Sequence, residues 1–372
     1  MLPHPQKALQ LLAGLLDQRK AYTGPFFVNI DITRRCNMRC PGCRHHLPTP
    51  GKSVDADGAP KDIPFALIQQ LARELPALAV PEISLIGEGE PLLHPRLLDI
   101  IAAFKHAGTK LQLFTNGTLI DQAKASALVD SGLNAVKVTL WANSQDEYEK
   151  CHPGVNPQNF VKTLNAVELL VRQKARNRAA VSIILNQPLN RLNYRSAVER
   201  IQLARSLGCD ALTFSVFRDW RGEFASLSLS AEEIAAVSEE LLAAKKDAAA
   251  AALGHNIDEV LMRYRLGQFG WLRLPCYIGW LHARIKTDGT VIPCNSCDLP
   301  LGNLHRDGFA AIWNGQAYRR FRHQRSRYDG GLQFKNHCDC GWCCFVKQNA
   351  KVHRVFKWIR PQLGCPGGRG EP

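Results

Sequence analysis

The chain contains 372 residues, 45% of them hydrophobic, which is enough to bury a sizeable core in one large or two ordinary domains. Its formal net charge of +14 permits acidic or phosphate-bearing partners, but no helix-turn-helix or RNA-binding signature accompanies the charge, so nucleic acid is not indicated. No apolar run reaches the length of a membrane span, and the N-terminus lacks the features of a signal peptide, so we expect a cytoplasmic protein whose cysteines bind metal or perform chemistry.

An N-terminal helical segment, residues 1–25, precedes six short β-branched and aromatic runs that are separated by longer amphipathic segments. The runs span residues 26–33, 82–87, 110–116, 135–141, 181–186 and 211–217. This alternation is typical of βαβ units in a parallel sheet with helices packed outside it. We therefore predict an α/β fold with a partial or complete barrel, and a doubly wound open sheet is the alternative.

The composition changes after the sixth run, where an Ala-rich helical stretch leads into a region rich in cysteine, glycine and aromatic residues. Seven of the 13 cysteines lie between Cys276 and Cys344. Core burial alone would not stabilise so small and loop-rich a region, so we expect bound metal to hold it together. We divide the chain into residues 1–25, a core barrel at 26–255, a cysteine-rich module at 256–350 and a basic tail at 351–372, whose last residues we expect to be disordered.

Three cysteines, Cys36, Cys40 and Cys43, directly follow the first predicted strand with the spacing C-x3-C-x2-C. Loops at the carboxyl ends of barrel strands form the active face, and a loop of this length can direct three thiolates at one centre. Three thiolates around a four-iron cluster leave one iron open for a substrate or cofactor. The spacing also admits a zinc site completed by His45 or His46, or three unconnected thiols.

The cysteine loop and the stretches after it resemble the radical S-adenosylmethionine (SAM) superfamily over most of the chain. "IGEGEPLLHP" from Ile86 resembles the loop after the second strand, "LFTNGTLI" from Leu113 the end of the third, and "VTLWANSQDEYEKCHPG" from Val138 the fourth strand and its exit. In that family the open iron of a [4Fe–4S] cluster binds SAM, an electron from the reduced cluster cleaves a carbon–sulfur bond, and the resulting 5′-deoxyadenosyl radical abstracts a hydrogen atom from the substrate. The resemblance therefore implies a partial (β/α)6 barrel, a three-cysteine cluster and SAM.

The resemblance also implies a set of SAM-binding residues at the strand ends. Backbone and acidic groups of the second loop would meet the methionine ammonium, and Asn186 and Arg218 would hold the ribose and the carboxylate. Glu88 stands where the family usually has glycine, and Gly42 where it usually has an aromatic residue near the adenine. Glu90 precedes Pro91, so the start of a short helix is an alternative role for this carboxylate. The predicted set is Glu88, Gly89, Glu90, Asn116, Thr139, Asn186 and Arg218.

A second cysteine set begins with "CYIGWLHARIKTDGTVIPC", Cys276 to Cys294, which has the form C-x12-G-x4-C and a predicted hairpin turn at Gly289. With the Gly-Asn-Leu and Ile-Trp-Asn motifs and the cysteine-rich run that follow, it resembles the SPASM or twitch extension, which binds auxiliary iron–sulfur clusters. The resemblance implies one auxiliary [4Fe–4S] cluster, with a structural zinc site as the alternative. Its predicted ligands are Cys276, Cys294, Cys340 and Cys343, with Cys338 as the main competitor and Cys297 and Cys344 as lesser ones.

These resemblances predict a radical SAM enzyme that receives electrons from a donor such as flavodoxin or ferredoxin. Sulfatase-maturing relatives carry an aspartate base directly after the second module cysteine, whereas Asn295 occupies that position here and cannot take a proton. Only 25 residues precede the first strand, too few for a domain that grips a leader peptide, so we expect a small sugar- or phosphate-bearing substrate. A peptide- or protein-modifying enzyme is the first alternative, and a non-catalytic metal-binding scaffold is the second.

Overall fold

One sheet of ten strands organises the part of the chain that the computed structural model describes. The described ranges are residues 5–45, 60–106, 108–250, 252–268, 274–326 and 337–362. His46, which was one of the alternative zinc ligands, and the C-terminal residues expected to be disordered lie outside these ranges.

The barrel is built from six parallel strands that correspond to the six predicted runs: β1 (Phe27–Asp31), β2 (Glu82–Ile86), β3 (Lys110–Thr115), β4 (Ala135–Thr139), β5 (Ser182–Leu189) and β6 (Ala211–Val216). Buried and half-buried residues alternate along β5 and β6, because one face packs against helices and the other lines the barrel interior. A doubly wound sheet would reverse its strand order, whereas β1 to β6 follow one another without reversal. The prediction of a (β/α)6 barrel is confirmed.

Helices cover the outer face of the sheet because each presents an apolar stripe to it. In α2, Leu67, Ile68, Leu71 and Leu75 are buried at helical spacing. The helices of this part of the chain are α1 (Pro5–Asp17), α2 (Phe65–Ala77), α3 (Leu97–His106), α4 (Gln122–Asp130), α5 (Gln145–Cys151), α6 (Gln158–Asn177), α7 (Ala197–Ser206), α8 (Ala231–Ala250) and α9 (Ile257–Leu266), with short 3₁₀ helices at Pro91–Leu93 and Ala225–Leu227. Nowhere in the described ranges does a helix combine the length and apolarity needed to cross a membrane.

The cysteine-rich module continues the barrel sheet. Strand β7 (Gly254–His255) pairs with β6, and β8 (His282–Ile285) lies parallel to β1 at the opposite end of the barrel strands. After β8 the chain turns at Gly289, whose φ is +76°, into the antiparallel strand β9 (Thr290–Ile292), so the predicted hairpin is confirmed. Strand β10 (Gly302–Asn303) then pairs with β9.

Within its described residues, the module also contains α10 (Ile278–Leu281), α11 (Phe309–Trp313), α12 (Gln316–Arg325) and α13 (Val346–Gln362). Helix α13 runs across the predicted boundary between residues 350 and 351, so the basic segment begins as a continuation of the module's last helix. The boundary between the barrel and the module likewise divides the sequence but not the sheet, since β8 hydrogen-bonds to β1.

A buried ion pair joins the two parts of the chain beside this strand pairing. The Asp31 carboxylate receives hydrogen bonds from Arg284 Nε at 2.7 Å and Nη2 at 2.8 Å. Asp31 is fully buried and Arg284 is 5% exposed. A bidentate pair of this kind fixes the register of the module against the end of β1, from which the three-cysteine loop departs.

Candidate functional site

The three-cysteine loop begins where β1 ends. Arg34 N–H donates to Lys61 O at 2.7 Å, so the chain that returns from the loop lies against the chain that enters it. Inside the loop, Cys43 N–H donates to Cys40 O at 3.0 Å, which curls the backbone. These bonds bring Cys36, Cys40 and Cys43 to the carboxyl-terminal edge of the barrel, as the sequence predicted for the active face.

The three thiols lie close enough to affect one another's ionisation. Burial, followed by the negative charges of Glu90 and Cys43, raises the pKa of Cys36 to about 11. Burial and the charges of Cys43 and Cys36 raise the pKa of Cys40 further. Half-buried thiolates that repel one another need a cationic group to hold them together, and the irons of a cluster would supply that charge.

A zinc ion and a four-iron cluster make different demands on the loop cysteines. In the described ranges, no group of three His, Cys, Asp or Glu side chains is arranged to hold one ion. A zinc site requires its ligands to converge on one point, whereas each cysteine of a four-iron cluster binds a different iron. His45, the described candidate for a zinc ligand, has its Nδ1 3.9 Å from a Glu88 carboxylate oxygen.

The loop after β2 packs backbone against backbone on the entry to the cysteine loop. Gly89 N–H donates to Thr33 O at 3.0 Å, and Glu90 N–H donates to Arg35 O at 2.6 Å. A Cβ atom at Gly89 would overlap the Arg35 carbonyl oxygen. Gly89 is therefore required for this close approach, which sets the position of Cys36.

Glu90 ties two loops of the barrel edge together. Its carboxylate accepts hydrogen bonds from Thr115 Oγ1 at 2.6 Å, Asn116 N–H at 2.7 Å and Leu92 N–H at 3.1 Å. The side chain is 2% exposed, and burial raises its pKa above the ordinary value even though all three donors lower it. Glu90 thus caps the 3₁₀ helix that begins at Pro91, which supports the alternative role, while its contact with the methionine ammonium stays a prediction.

Glu88, which departs from the family pattern, lies among cationic groups. Its carboxylate is 3.3 Å from Lys286 Nζ and 3.6 Å from Arg34 Nε. Lys286 follows β8, so Glu88 connects the β2 loop to the cysteine-rich module. We did not predict Lys286 or Arg34 from the sequence, because the pairing of β8 with β1 is not visible there.

Gly42 departs from the family pattern for a packing reason. A Cβ atom at this position would lie 2.6 Å from a ring carbon of Phe217 and 2.9 Å from one of Trp141. The two rings pack edge to face, with centroids 6.2 Å apart. Aromatic side chains from the ends of β4 and β6 therefore occupy the space beside the third cysteine that an aromatic residue at position 42 would otherwise fill.

The remaining strand-end residues form hydrogen-bonded groups. Asn116 Nδ2 donates to Asn37 Oδ1 at 2.9 Å and so contacts the cysteine loop. Thr139 Oγ1 accepts from Asn186 Nδ2 at 3.4 Å. The side-chain oxygen of Asn186, Oδ1, in turn accepts hydrogen bonds from two hydroxyls of β6, those of Thr213 and Ser215. We did not predict these two residues from the sequence. The structure thus brings Thr139 and Asn186 together inside the barrel, and their binding of SAM stays a prediction.

Arg218 reaches across to the cysteine-rich module. Its guanidinium donates to the Ser296 hydroxyl, and its Nη2 donates to Asn295 O at 3.1 Å. The Asn295 side chain accepts from Asn29 Nδ2 in β1 at 3.0 Å. Asn29 is a polar residue within an apolar strand, which is the signal that could have identified it in the sequence. The contact of Arg218 with SAM stays a prediction.

The second cysteine set lines one small cavity. Burial raises the pKa values of Cys294 and Cys343, and nearby cysteines, including Cys276 and Cys340, raise both further. The structure therefore brings the four predicted auxiliary ligands together around one space, although they are separated by up to 67 positions in sequence (276 to 343).

Three further cysteines belong to the same module. Cys344 lies beside the cavity, with its Sγ 3.7 Å from the Ser296 hydroxyl. Cys297 and Cys338 are joined by a disulfide. A disulfide sulfur is not a thiolate ligand, so the predicted competition of Cys338 for a cluster position applies to the reduced chain.

Two protein-family models match the chain. One describes the radical SAM superfamily and matches residues 30–187, and the other describes an iron–sulfur cluster-binding domain, SPASM, and matches residues 276–346. The first range contains the three-cysteine loop, and the second contains the four predicted auxiliary ligands.

Curated proteins are similar to most of the chain. A PqqA peptide cyclase from Gluconobacter oxydans is 24% identical over 78% of this chain and 76% of its own length. An AdoMet-dependent heme synthase from Oleidesulfovibrio alaskensis is 24% identical over 84% of this chain and 81% of its own. The crystal structure of Streptococcus suis SuiB bound to precursor peptide SuiA shares the fold, with a TM-score of 0.63 and 15% identity over 87% of this chain and 73% of that one.

Proposed function

The chain belongs to the radical SAM superfamily and carries a SPASM iron–sulfur domain, and from that premise we propose that it modifies a peptide or protein substrate. The observation that carries this proposal is the similarity to PqqA peptide cyclase, which extends over more than three quarters of each chain. The fold shared with peptide-bound SuiB supports the same proposal. These relatives favour the alternative over the small sugar- or phosphate-bearing substrate that we expected first.

The enzyme uses a [4Fe–4S] cluster and SAM in the radical SAM domain and auxiliary iron–sulfur chemistry in the SPASM domain. When bound, the cluster and SAM supply a 5′-deoxyadenosyl radical that can abstract a hydrogen atom. We assign the first cluster to the three-cysteine loop and one auxiliary cluster to the four cysteines around the module cavity. The convergence of buried thiols at each place supports both assignments.

Two half-buried amides support a peptide substrate. Asn29 and Asn295 are hydrogen-bonded to each other, and side-chain amides both donate and accept hydrogen bonds, as peptide groups do. Trp141 and Phe217 add half-buried aromatic surface beside the cysteine loop. Because Asn295 cannot take a proton, we propose a reaction in which this position orients the substrate and does not act as a base.

Two further parts of the proposal concern the setting of the enzyme. Reduction of the first cluster requires a low-potential one-electron donor, and a flavodoxin or ferredoxin is the class we propose. A cytoplasmic location belongs to the same proposal, since thiols remain available for cluster binding in a reducing compartment.

The test is a turnover assay on the full chain after anaerobic reconstitution with iron and sulfide. With SAM and dithionite present, one sample receives a pool of synthetic peptides, and another receives a pool of small metabolites that includes tetrapyrroles. We expect the peptide pool to increase the 5′-deoxyadenosine yield and a peptide in it to change mass. Stimulation by the metabolite pool alone would contradict the proposal and favour a reaction closer to that of the heme synthase relative.

Matched variants separate radical chemistry from background. Alanine at all three loop cysteines should abolish 5′-deoxyadenosine, whereas Cys151→Ala, at a buried cysteine in helix α5, should retain it. If the triple variant formed the product at the wild-type rate, the assignment of the loop would fail. If the wild-type chain itself formed none, the non-catalytic metal-binding scaffold would return as the better interpretation.

A further inference from the structure

The cavity around the predicted auxiliary ligands has an arginine in its wall. Arg325 is the last residue of α12, is 4% exposed and lines the same cavity as the four cysteines. Its Nη2 lies 3.8 Å from Cys340 Sγ, within hydrogen-bond range of sulfur. Its backbone carbonyl accepts a hydrogen bond from Cys276 N–H at 2.9 Å. The backbone of Arg325 is therefore held against the backbone of one predicted ligand.

The surroundings of Arg325 point to the sulfurs as partners of the cation. Arg325 shares the cavity wall with the four predicted ligands, and the apolar side chains of Ile278 and Phe321 line the same space. A cluster bound there would place thiolate sulfur, the form that binds iron, beside the guanidinium.

We propose that Arg325 raises the reduction potential of the auxiliary iron–sulfur cluster by holding a positive charge and hydrogen-bond donors against its thiolate ligands. Reduction adds one negative charge to a cluster, and a buried cation stabilises that added charge with little screening from solvent. Hydrogen bonds to the ligand sulfurs act in the same direction. This role is independent of the substrate and goes beyond the proposed function.

Helix α12 provides a matched control. Arg320 carries the same charge on the same helix but is exposed. Arg322 is not suitable, because its guanidinium supports the fold through bonds to Gly279 O at 2.8 Å and Trp313 O at 2.7 Å. The comparison is therefore between Arg325→Gln and Arg320→Gln, with Arg325→Lys retaining the charge but not the planar donor pair.

The experiment is a dithionite titration of the anaerobically reconstituted full chain, followed by electron paramagnetic resonance. The auxiliary signal is identified as the one that persists when the three loop cysteines are alanine. At the wild-type midpoint, we expect Arg325→Gln to lower the ratio of reduced to oxidised auxiliary cluster at least tenfold, which is about 59 mV for one electron. Arg325→Lys should show a smaller decrease, and Arg320→Gln should show none.

Several results would overturn the proposal. One is an Arg325→Gln midpoint equal to that of the wild type with the auxiliary iron retained, and another is a module that holds zinc and no iron. If Arg325→Gln fails to retain iron, Arg325→Lys decides the question. A lowered midpoint in that variant supports the role, and an unchanged one rejects it. A peptide substrate could still be found in either case, so failure here is distinct from failure of the proposed function.

Discussion

Replacing Asp31 with asparagine should destabilise the protein strongly, because it leaves the Arg284 guanidinium buried beside a neutral amide. The carboxylate is fully buried and receives two hydrogen bonds, at 2.7 and 2.8 Å. Removing one partner of a buried ion pair costs about 3–5 kcal/mol. With a urea m-value of about 3 kcal/mol/M, the unfolding midpoint should fall by roughly 1–1.7 M.

The assay is anaerobic urea unfolding followed by tryptophan fluorescence, with a double-mutant cycle. Arg284→Gln alone should also be costly, since it leaves the Asp31 carboxylate buried and unpaired. The double variant replaces the ions with two amides that can bond to each other, so it should lose clearly less than the sum of the single losses. Asp99→Asn is the exposed control, because the Asp99–Arg96 pair is about half exposed on both sides and should contribute about 1 kcal/mol or less.

Two outcomes would refute this reasoning. One is an Asp31→Asn midpoint no lower than that of Asp99→Asn, which would mean that solvent reaches the pair. The other is a double variant whose loss equals the sum, which would mean that Asp31 and Arg284 act separately and that the register of β8 on β1 rests on backbone hydrogen bonds alone.

Three other predictions concern the barrel edge. Gly89→Ala should displace the Arg35 carbonyl and the cysteine loop with it, and so reduce the iron content of the protein as measured by iron analysis. Full iron loading would show that the two loops can move apart without loss of the cluster. Gly42→Tyr should weaken SAM binding by roughly tenfold or more because two aromatic rings must move, and equilibrium dialysis giving wild-type affinity would exclude that packing role. The raised pKa of Glu90 means that its contribution to stability is greatest below the ordinary value of 4.5 and is lost as the pH rises through the folded-state pKa. The stability deficit of Glu90→Gln should therefore shrink from pH 4.5 upward, and a deficit in melting temperature that grows over this range would contradict the direction of the shift.

Much of the fold could be predicted because its signals are local. The β-branched run from Phe26 and the turn at Gly289 are visible in a few consecutive residues, and the structure has a strand and a hairpin there. The spacing of the three loop cysteines is equally local, and it sufficed to place them after β1.

What the sequence could not supply depends on contacts between distant segments. Lys286 meets Glu88 only because β8 lies beside β1, a pairing of strands about 250 positions apart (28 to 283). The rings that exclude a side chain at Gly42 come from positions 141 and 217. The glycine is therefore only a departure from the family pattern in the sequence, whereas it is a packing requirement in the structure. Glu90 could be assigned to a helix start from Pro91, but not to Thr115 on the neighbouring strand end.

The pairing of β8 with β1 has a consequence for how the enzyme can be divided. A chain shortened before residue 282 would leave β1 as an open edge, with unpaired backbone groups beside the buried side chains of Val28 and Ile30. Such edges recruit strands from other molecules, so the isolated barrel should aggregate despite having all of its own strands. Because the two modules share one continuous sheet, exchanging the C-terminal module between relatives would have to preserve the pairing of β8 with β1 as well as the cysteines.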